Sequence, residues 1–384
     1  MKYYLIAGEA SGDLHASNLM REIKKLDSNA DFRFWGGDLM LAQGGEIVCH
    51  YRDTAYMGVF EVVKHLPDVF RNLNRCEIDI KEYRPDVIIL VDYAGFNLRI
   101  AKRVKKMNIP AFYYIAPKIW AWNQSRAKKI KKYVNKVFAI LPFETDFYAR
   151  FNVDAAYSGN PLLDAIDNRE HKNESLNSFL QRNNLPAKPI IALLAGSRSE
   201  EINRMLPDMI SMKQYFDEYQ LVVAGAPSFT IDDYKPYIKD NSGIKVLFGE
   251  TYSLLQHARA AMVTSGTATL EAALLRCPQV VCYKMWGGAF SDFMAKRVFI
   301  QVPFISLVNL IMNKEVVKEL FQKSFSLEKL KEELNLLCYD EAYRKQMFDN
   351  YDKLGRIMGE PGSSRITAEL MWKELKILDR QAES

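Results

Sequence analysis

The chain has 384 residues, 52 basic and 47 acidic side chains for a net charge of +5, and a hydrophobic content of 48%. That length implies two domains, that composition fills packed cores, and so mild a basic excess, without an RNA-binding signature, speaks against nucleic acid as a partner. Five cysteines with no C-x-x-C pair argue against a disulfide framework or a zinc knuckle, and no apolar run approaches the roughly 20 residues that cross a bilayer.

From the N-terminus, residues 3–7 read as a first strand whose apolar run stops at Glu9, too early for a signal-peptide core. The loop Gly8-Glu-Ala-Ser-Gly-Asp13 follows. It lacks the G-x-G-x-x-G fingerprint, but Gly8 and Gly12 permit close backbone approach to a ligand and Asp13 can cap the next helix. A purely structural turn is the alternative, with Glu9 and Ser11 as ordinary loop residues. After a second run at 32–35, Val59, Phe60, Val63, Leu66, Val69 and Phe70 recur at helical spacing, and Pro67 suits the start of a second helix. This stripe can dip into a bilayer interface, line an acyl-chain site, or face a core.

The run at 87–91 ends in Asp92, a carboxylate at a strand's C-terminal end, placed to take a proton from an attacking hydroxyl or to cap the following helix. Runs at 111–115 and 137–141 complete the first half. Between them lie Lys118, Trp120, Trp122 and Arg126, where aromatic faces can stack on a sugar or cover acyl groups and the bases can meet a phosphate; a packed aromatic cluster beside a solvated basic helix is the alternative. A polar stretch at 167–174 and Leu185-Pro-Ala-Lys-Pro189 mark a domain boundary.

The second half repeats the pattern with runs at 190–194, 221–224, 244–248, 261–264 and 280–283. Continuous runs alternating with helices imply parallel sheets buried on both faces. Two segments, Leu194-Ala-Gly-Ser-Arg-Ser-Glu-Glu-Ile202 and Ser265-Gly-Thr-Ala-Thr-Leu-Glu271, each follow such a run and open a helix. Free amides and the positive end of a helix dipole suit phosphate oxygens. Ser197, Arg198, Ser265, Gly266 and Thr267 therefore form a candidate diphosphate site, and Glu271 can accept from both ribose hydroxyls; a capping-type turn opening a buried helix is the alternative for the Ser265–Glu271 segment. No Asp-x-Asp motif or histidine pair points to a metal, and no cofactor is implied. A breaker at Gly359-Glu-Pro-Gly362 precedes a final helical pattern over 363–378, which can return to the first domain or stay on the second.

Taken in order, Gly8-Glu-Ala-Ser-Gly-Asp13, Met57-Gly58, Val91-Asp92 with Phe96-Asn97, Pro117 with Trp120-Ala-Trp122, Leu141-Pro-Phe-Glu144, Gly196-Ser-Arg198, Ser265 to Glu271, and Ser306-Leu-Val-Asn309 leading to Val317–Gln322 resemble the lipid-A-disaccharide synthase family. The resemblance spans nearly the whole chain. It implies a GT-B fold: an α/β chain of two Rossmann-like domains whose parallel sheets face across a cleft. The acceptor domain is expected at 1–170, the UDP-sugar domain at 185–355 and a C-terminal helix at 363–380.

The resemblance further implies an inverting transfer from UDP-2,3-diacylglucosamine to lipid X, releasing UDP, with Asp92 as general base. It places Arg198, Ser197, Ser265, Gly266, Thr267, Glu271, Asn309 and Gln322 on the UDP side. On the acceptor side stand Glu9, Ser11, Gly12, Lys118, Trp120, Trp122 and Arg126, and the stripe after Met57 is the membrane or acyl contact. A cytoplasmic protein held peripherally at the inner membrane follows, with homo-oligomerisation left open. Two positions depart from the family pattern: Gly95 stands where a second aspartate is common, and Gly159-Asn-Pro161 where some relatives carry Gly-His. A UDP-sugar epimerase of the same fold and a non-enzymatic nucleotide-sugar sensor are the competing readings.

Overall fold

Two sets of short apolar strands each align in parallel, and the sequence dictates both. The computed structural model describes residues 1–53, 66–122, 124–238, 243–264, 266–284 and 303–383. These fall into two units, Met1–Pro161 with Glu360–Ser384, and Leu162–Gly359.

In unit 1 the elements are β1 (Lys2–Ala7), α1 (Ala10–Leu26), β2 (Asp31–Gly36), α2 (Asp38–Ala42), β3 (Glu46–His50), α3 (Leu66–Tyr83), β4 (Val87–Val91), α4 (Ala94–Val104), β5 (Ala111–Tyr114), α5 (Ile119–Trp122), α6 (Arg126–Tyr133), β6 (Lys136–Ala139), α7 (Pro142–Ala149) and β7 (Ala155–Tyr157). The sheet order is β3-β2-β1-β4-β5-β6-β7, all parallel. Leu66-Pro67 opens α3, where the fixed φ of proline suits a first turn.

Unit 2 contains α8 (Pro161–Asp167, whose first residue closes unit 1), α9 (Leu176–Arg182), β8 (Ile190–Leu194), α10 (Ser199–Ser211), β9 (Gln220–Gly225), α11 (Ile231–Tyr234), β10 (Lys245–Phe248), α12 (Thr251–His257), β11 (Ala260–Val263), α13 (Thr267–Leu274), β12 (Gln279–Tyr283), α14 (Leu307–Met312), β13 (Lys318–Phe321), α15 (Leu327–Tyr339) and α16 (Glu341–Met358). Its parallel sheet runs β10-β9-β8-β11-β12-β13. The last helix, α17 (Ser363–Glu383), belongs to unit 1, where Ala368, Met371 and Leu375 join Ala16, Leu19, Met20 and Ile23 of α1 in one core.

The expectation of five strands per half needs correction to seven and six among the described residues. The three that apolar runs do not reveal, β3, β7 and β13, all lie at sheet edges. An edge strand has a neighbour on one side only, so it tolerates Glu46, His50, Lys318 and Glu319. Central strands such as β4 and β8 are buried at every residue and read as continuous apolar runs.

Asp13 also differs from its expected place. The first helix already begins at Ala10, so Asp13 lies inside α1 and caps α2 instead. Its Oδ1 accepts from the amides of Gly37 (2.8 Å) and Met40 (3.1 Å), and its Oδ2 from Leu39 (3.1 Å), with the residue only 2% exposed. A buried carboxylate taking three amides at a helix start satisfies groups that would otherwise be stranded. Asp13→Ala leaves them unpaired and is expected to lower stability by about 2–3 kcal/mol, read as a reduced urea midpoint at unchanged slope.

Candidate active site

In parallel sheets, functional loops collect beyond the C-terminal strand ends. In unit 1 the loops after β1, β4, β5 and β6 lie side by side because those strands are neighbours. The loop after β4 takes an unusual path. Asp92 and Tyr93 both have left-handed backbones, with φ of 46° and 47°, a conformation that costs non-glycine residues energy. Two buried side chains hold it. The Asn97 amide nitrogen donates to the Asp92 carbonyl at 2.8 Å, and the Tyr113 hydroxyl donates to the same oxygen at 2.6 Å. Tyr93 then lies over Gly8, where a Cβ would come within 2.3 Å of its ring, so the first loop requires glycine there.

The turn leaves the Asp92 side chain half-buried. Burial raises its pKa, the nearby negative charge of Glu9 raises it further, and Lys118 opposes both. Glu9, Asp92 and Lys118 therefore share one electrostatic environment, although they come from three separate loops. Glu9, Ser11 and Lys118 are exposed, Arg126 is half-exposed at the start of α6, and Gly12 is buried against Ala7.

Trp120 is buried, and its ring meets Phe143 edge-on at 5.0 Å. Its indole donates to Glu144 Oε1 at 3.0 Å. Glu144, whose acidic role no local spacing signals, is 1% exposed and accepts from the amides of Ile140 (3.2 Å) and Leu141 (3.0 Å) at the start of α7. It thereby ties the Lys118–Trp120 loop to the end of β6. Burial outweighs these donors and pushes its carboxyl up to about 7. Val59, Phe60, Val63 and Ser265, with the side chains of Leu66 and Trp122, lie outside the described residues; Val69 is half-buried and Phe70 exposed on α3.

In unit 2 the loop after β8 turns at Gly196 (φ 110°) into α10. The Ser197 amide donates to Glu201 Oε2 at 3.0 Å, so part of this helix start is filled by its own carboxylate. The Arg198 side chain is 81% exposed, with Nη1 3.9 Å from Glu201. The neighbouring loop after β11 leads into α13 through Gly266 (φ 113°), which offers no capping side chain. One turn along, Glu271 is half-buried; burial raises its pKa, and Tyr252 of α12 donates to its Oε1 at 3.2 Å.

Asn309 is fully buried, and its polar atoms serve the fold. Its amide nitrogen donates to Glu319 Oε1 (2.9 Å) and the Val317 carbonyl (2.8 Å), while its oxygen accepts from Val316 (2.7 Å) and Val317 (3.0 Å). Glu319 also takes the amides of Ile305 and Ser306, both at 2.9 Å. Gln322 has a left-handed φ of 49° at the end of β13, after Phe321, which stacks on Tyr283 at 5.9 Å. The charges of Glu201 and Arg198 both act on the Tyr283 hydroxyl, which places this aromatic pair beside the loop after β8.

The sequence profile of the lipid-A-disaccharide synthetase family matches residues 3–364. A lipid-A-disaccharide synthase of Myxococcus xanthus is 34% identical over 371 residues, covering 95% of each chain. One of Nitrosococcus oceani is 36% identical, covering 95% of this chain and 94% of its own. Among solved structures, the chain resembles the UDP-GlcNAc 2-epimerase of Neisseria meningitidis bound to UDP-GlcNAc (TM-score 0.62, 12% identity, 97% and 100% coverage). It also resembles MurG of Acinetobacter baumannii (TM-score 0.57, 11% identity, 97% and 99% coverage). At such identities these structures speak for the fold alone.

The buried Glu144 carboxyl generates a pH prediction. Its folded pKa, about 7, exceeds its ordinary value of 4.5. The folded state then holds a proton that the unfolded state releases, so this group's stabilising contribution is full below about 4.5 and disappears as pH rises through about 7. Glu144→Gln is expected to flatten stability across that window in denaturant titrations at stepped pH, whereas wild-type stability declines.

Proposed function

The chain belongs to the lipid-A-disaccharide synthetase family, and we propose from that premise how its two units divide the reaction. It is an inverting glycosyltransferase that condenses UDP-2,3-diacylglucosamine with lipid X to give the lipid A disaccharide 1-phosphate and UDP. In our reading, unit 1 serves the acceptor and unit 2 the nucleotide.

Asp92 accepts the proton as the lipid X hydroxyl attacks the anomeric carbon. The new C–O bond forms on the face opposite the bond to UDP, so the configuration inverts in one displacement and no sugar–enzyme bond is needed. The diphosphate leaves with the bonding electron pair. Amides at the start of α13 and the guanidinium of Arg198 stabilise the charge that develops on it. Glu271, oriented by Tyr252, accepts from the ribose hydroxyls. Lys118 and Arg126 counter the acceptor's phosphate, and Glu9, by its charge, keeps the proton affinity of Asp92 high. The observation carrying this reading is the half-buried Asp92, held at a strand end with a raised pKa, because a base must bind a proton firmly enough to remove it. Both substrates carry acyl chains, so the reading places the protein peripherally at the inner face of the inner membrane. Among the described residues no helix is long and apolar enough to cross a membrane.

The fold likeness to epimerases does not favour epimerisation, since the full-length relatives at 34–36% identity are synthases. Asp92→Asn is expected to retain UDP affinity while turnover falls by about 10²–10⁴-fold, the usual contribution of a general base. Disaccharide formed by purified protein from UDP-diacylglucosamine and lipid X, followed by mass spectrometry, reads this directly. Near-normal turnover removes Asp92 from the role. An epimerised nucleotide sugar without disaccharide overturns the transferase reading. Arg198→Ala is expected to weaken UDP binding in calorimetry, and unchanged affinity would place the diphosphate elsewhere.

A further inference from the structure

Positive charge is concentrated in one segment of this chain. Residues 93–143 contain twelve basic side chains and no acidic one. The rest of the chain has 40 basic against 47 acidic residues, a net of −7, so this segment alone makes the protein basic. Asymmetry on this scale points to an anionic partner.

The fold gathers much of this charge on one face of unit 1. Helix α4 connects β4 to β5 and α6 connects β5 to β6, with the strands adjacent and parallel. Right-handed crossovers put both helices on the same side of the sheet, where they pack together. Arg99 and Lys102 are exposed along α4, and Lys105 and Lys106 in the short turn that follows it. In α6, Lys128, Lys129, Lys131 and Lys132 are exposed around buried Ala127 and Ile130. Two other bases of the segment are neutralised: Arg103 pairs with Glu77 at 2.8 Å, and Lys136 with Asp154 at 3.0 Å and Glu374 at 2.8 Å. Among the described residues, Arg99 and the seven exposed lysines of α4, its following turn and α6 have no carboxylate partner.

The chemistry of the face indicates what it meets. Seven of its eight exposed cations are lysines, mobile point charges without the fork geometry that selects one phosphate. They suit a diffuse negative potential. On the flanking helix α3, which packs against α4, Phe70 and Ile78 are each 56% exposed and supply apolar contact. We propose that the α4–α6 face docks on a bilayer surface rich in anionic phosphate headgroups. The proposal rests on the reading that the substrates are acylated sugars held in a membrane, and it makes attachment electrostatic and salt-sensitive.

The test uses full-length protein and vesicles of phosphatidylcholine with or without phosphatidylglycerol. Wild-type protein is expected to sediment with the anionic vesicles, to be released by salt, and to leave neutral vesicles largely unbound. Replacing Lys128, Lys129, Lys131 and Lys132 together by Gln should lower partitioning at least tenfold, since each lysine near an anionic surface contributes on the order of a fivefold preference. A second variant with Arg99, Lys102, Lys105 and Lys106 replaced by Gln should do the same. Both should keep wild-type turnover on detergent-dispersed substrates and lose it on substrates embedded in anionic vesicles.

Wild-type partitioning by both variants overturns the proposal yet leaves membrane attachment standing. Equal binding to neutral and anionic vesicles overturns it in favour of apolar contact. Equal loss of turnover in detergent overturns it by assigning the face to substrate binding. If wild-type protein binds neither vesicle, both the proposal and membrane attachment fall, and an acidic protein becomes the partner to seek.

Discussion

The arrangement in unit 1 depends on one carbonyl oxygen. Asp92 and Tyr93 occupy the left-handed region in succession, at a cost of order 1–3 kcal/mol each. Such a turn persists only where its surroundings determine it. Here Asn97 and Tyr113, both fully buried, donate to the same Asp92 carbonyl. Asn97 projects from the helix that follows the turn, and Tyr113 from the neighbouring strand. The conformation is therefore fixed by the packing of the sheet, and the Asp92 carboxylate, the base we propose, inherits its place from the core.

That origin bears on the base role we propose for Asp92. A carboxylate in open water binds protons too weakly to be an effective base near neutral pH. At the end of β4, burial and the charge of Glu9 strengthen its hold, while the Tyr93 amide and then Lys118 act against them. Unit 2 offers different groups for the nucleotide role we propose. It presents a helix start at Gly266 without a capping side chain, an exposed guanidinium at Arg198, and a carboxylate at Glu271 that accepts from Tyr252. In the division we propose, base chemistry and stabilisation of the departing anion fall to separate folding units, each with its own sheet.

The sequence was most informative where structure is most local. Buried strands such as Val87–Val91 stand out as unbroken apolar runs, and Asp92 and Glu271 become candidates by their positions after such runs. Edge strands were hidden because one exposed side dilutes the apolar signal, as in Glu46–His50. Tyr252 carries no signal, and Glu144 stands in the Leu141–Glu144 motif without any sign of its partner. Each acts through a partner distant in sequence, Trp120 at 24 residues and Glu271 at 19, and no spacing rule links them. Asn309 was legible as a polar residue in a distinctive segment, but only the structure reveals that its amide holds Glu319 and the backbone at Val316 and Val317. The acid-free stretch 93–143 can be counted in the sequence but is no part of the reading above, and its gathering on one face follows only from the strand order.

The central claim is that the proton affinity of Asp92, set by its neighbours, governs the transfer step. The most direct measurement is the pH dependence of kcat/KM for lipid X in wild-type protein and in Glu9→Gln. Activity should rise with pH as Asp92 loses its proton. Because Glu9 raises that pKa, removing its charge should move the acidic limb to lower pH while UDP affinity stays unchanged. A limb that remains in place, or moves upward, would contradict the account.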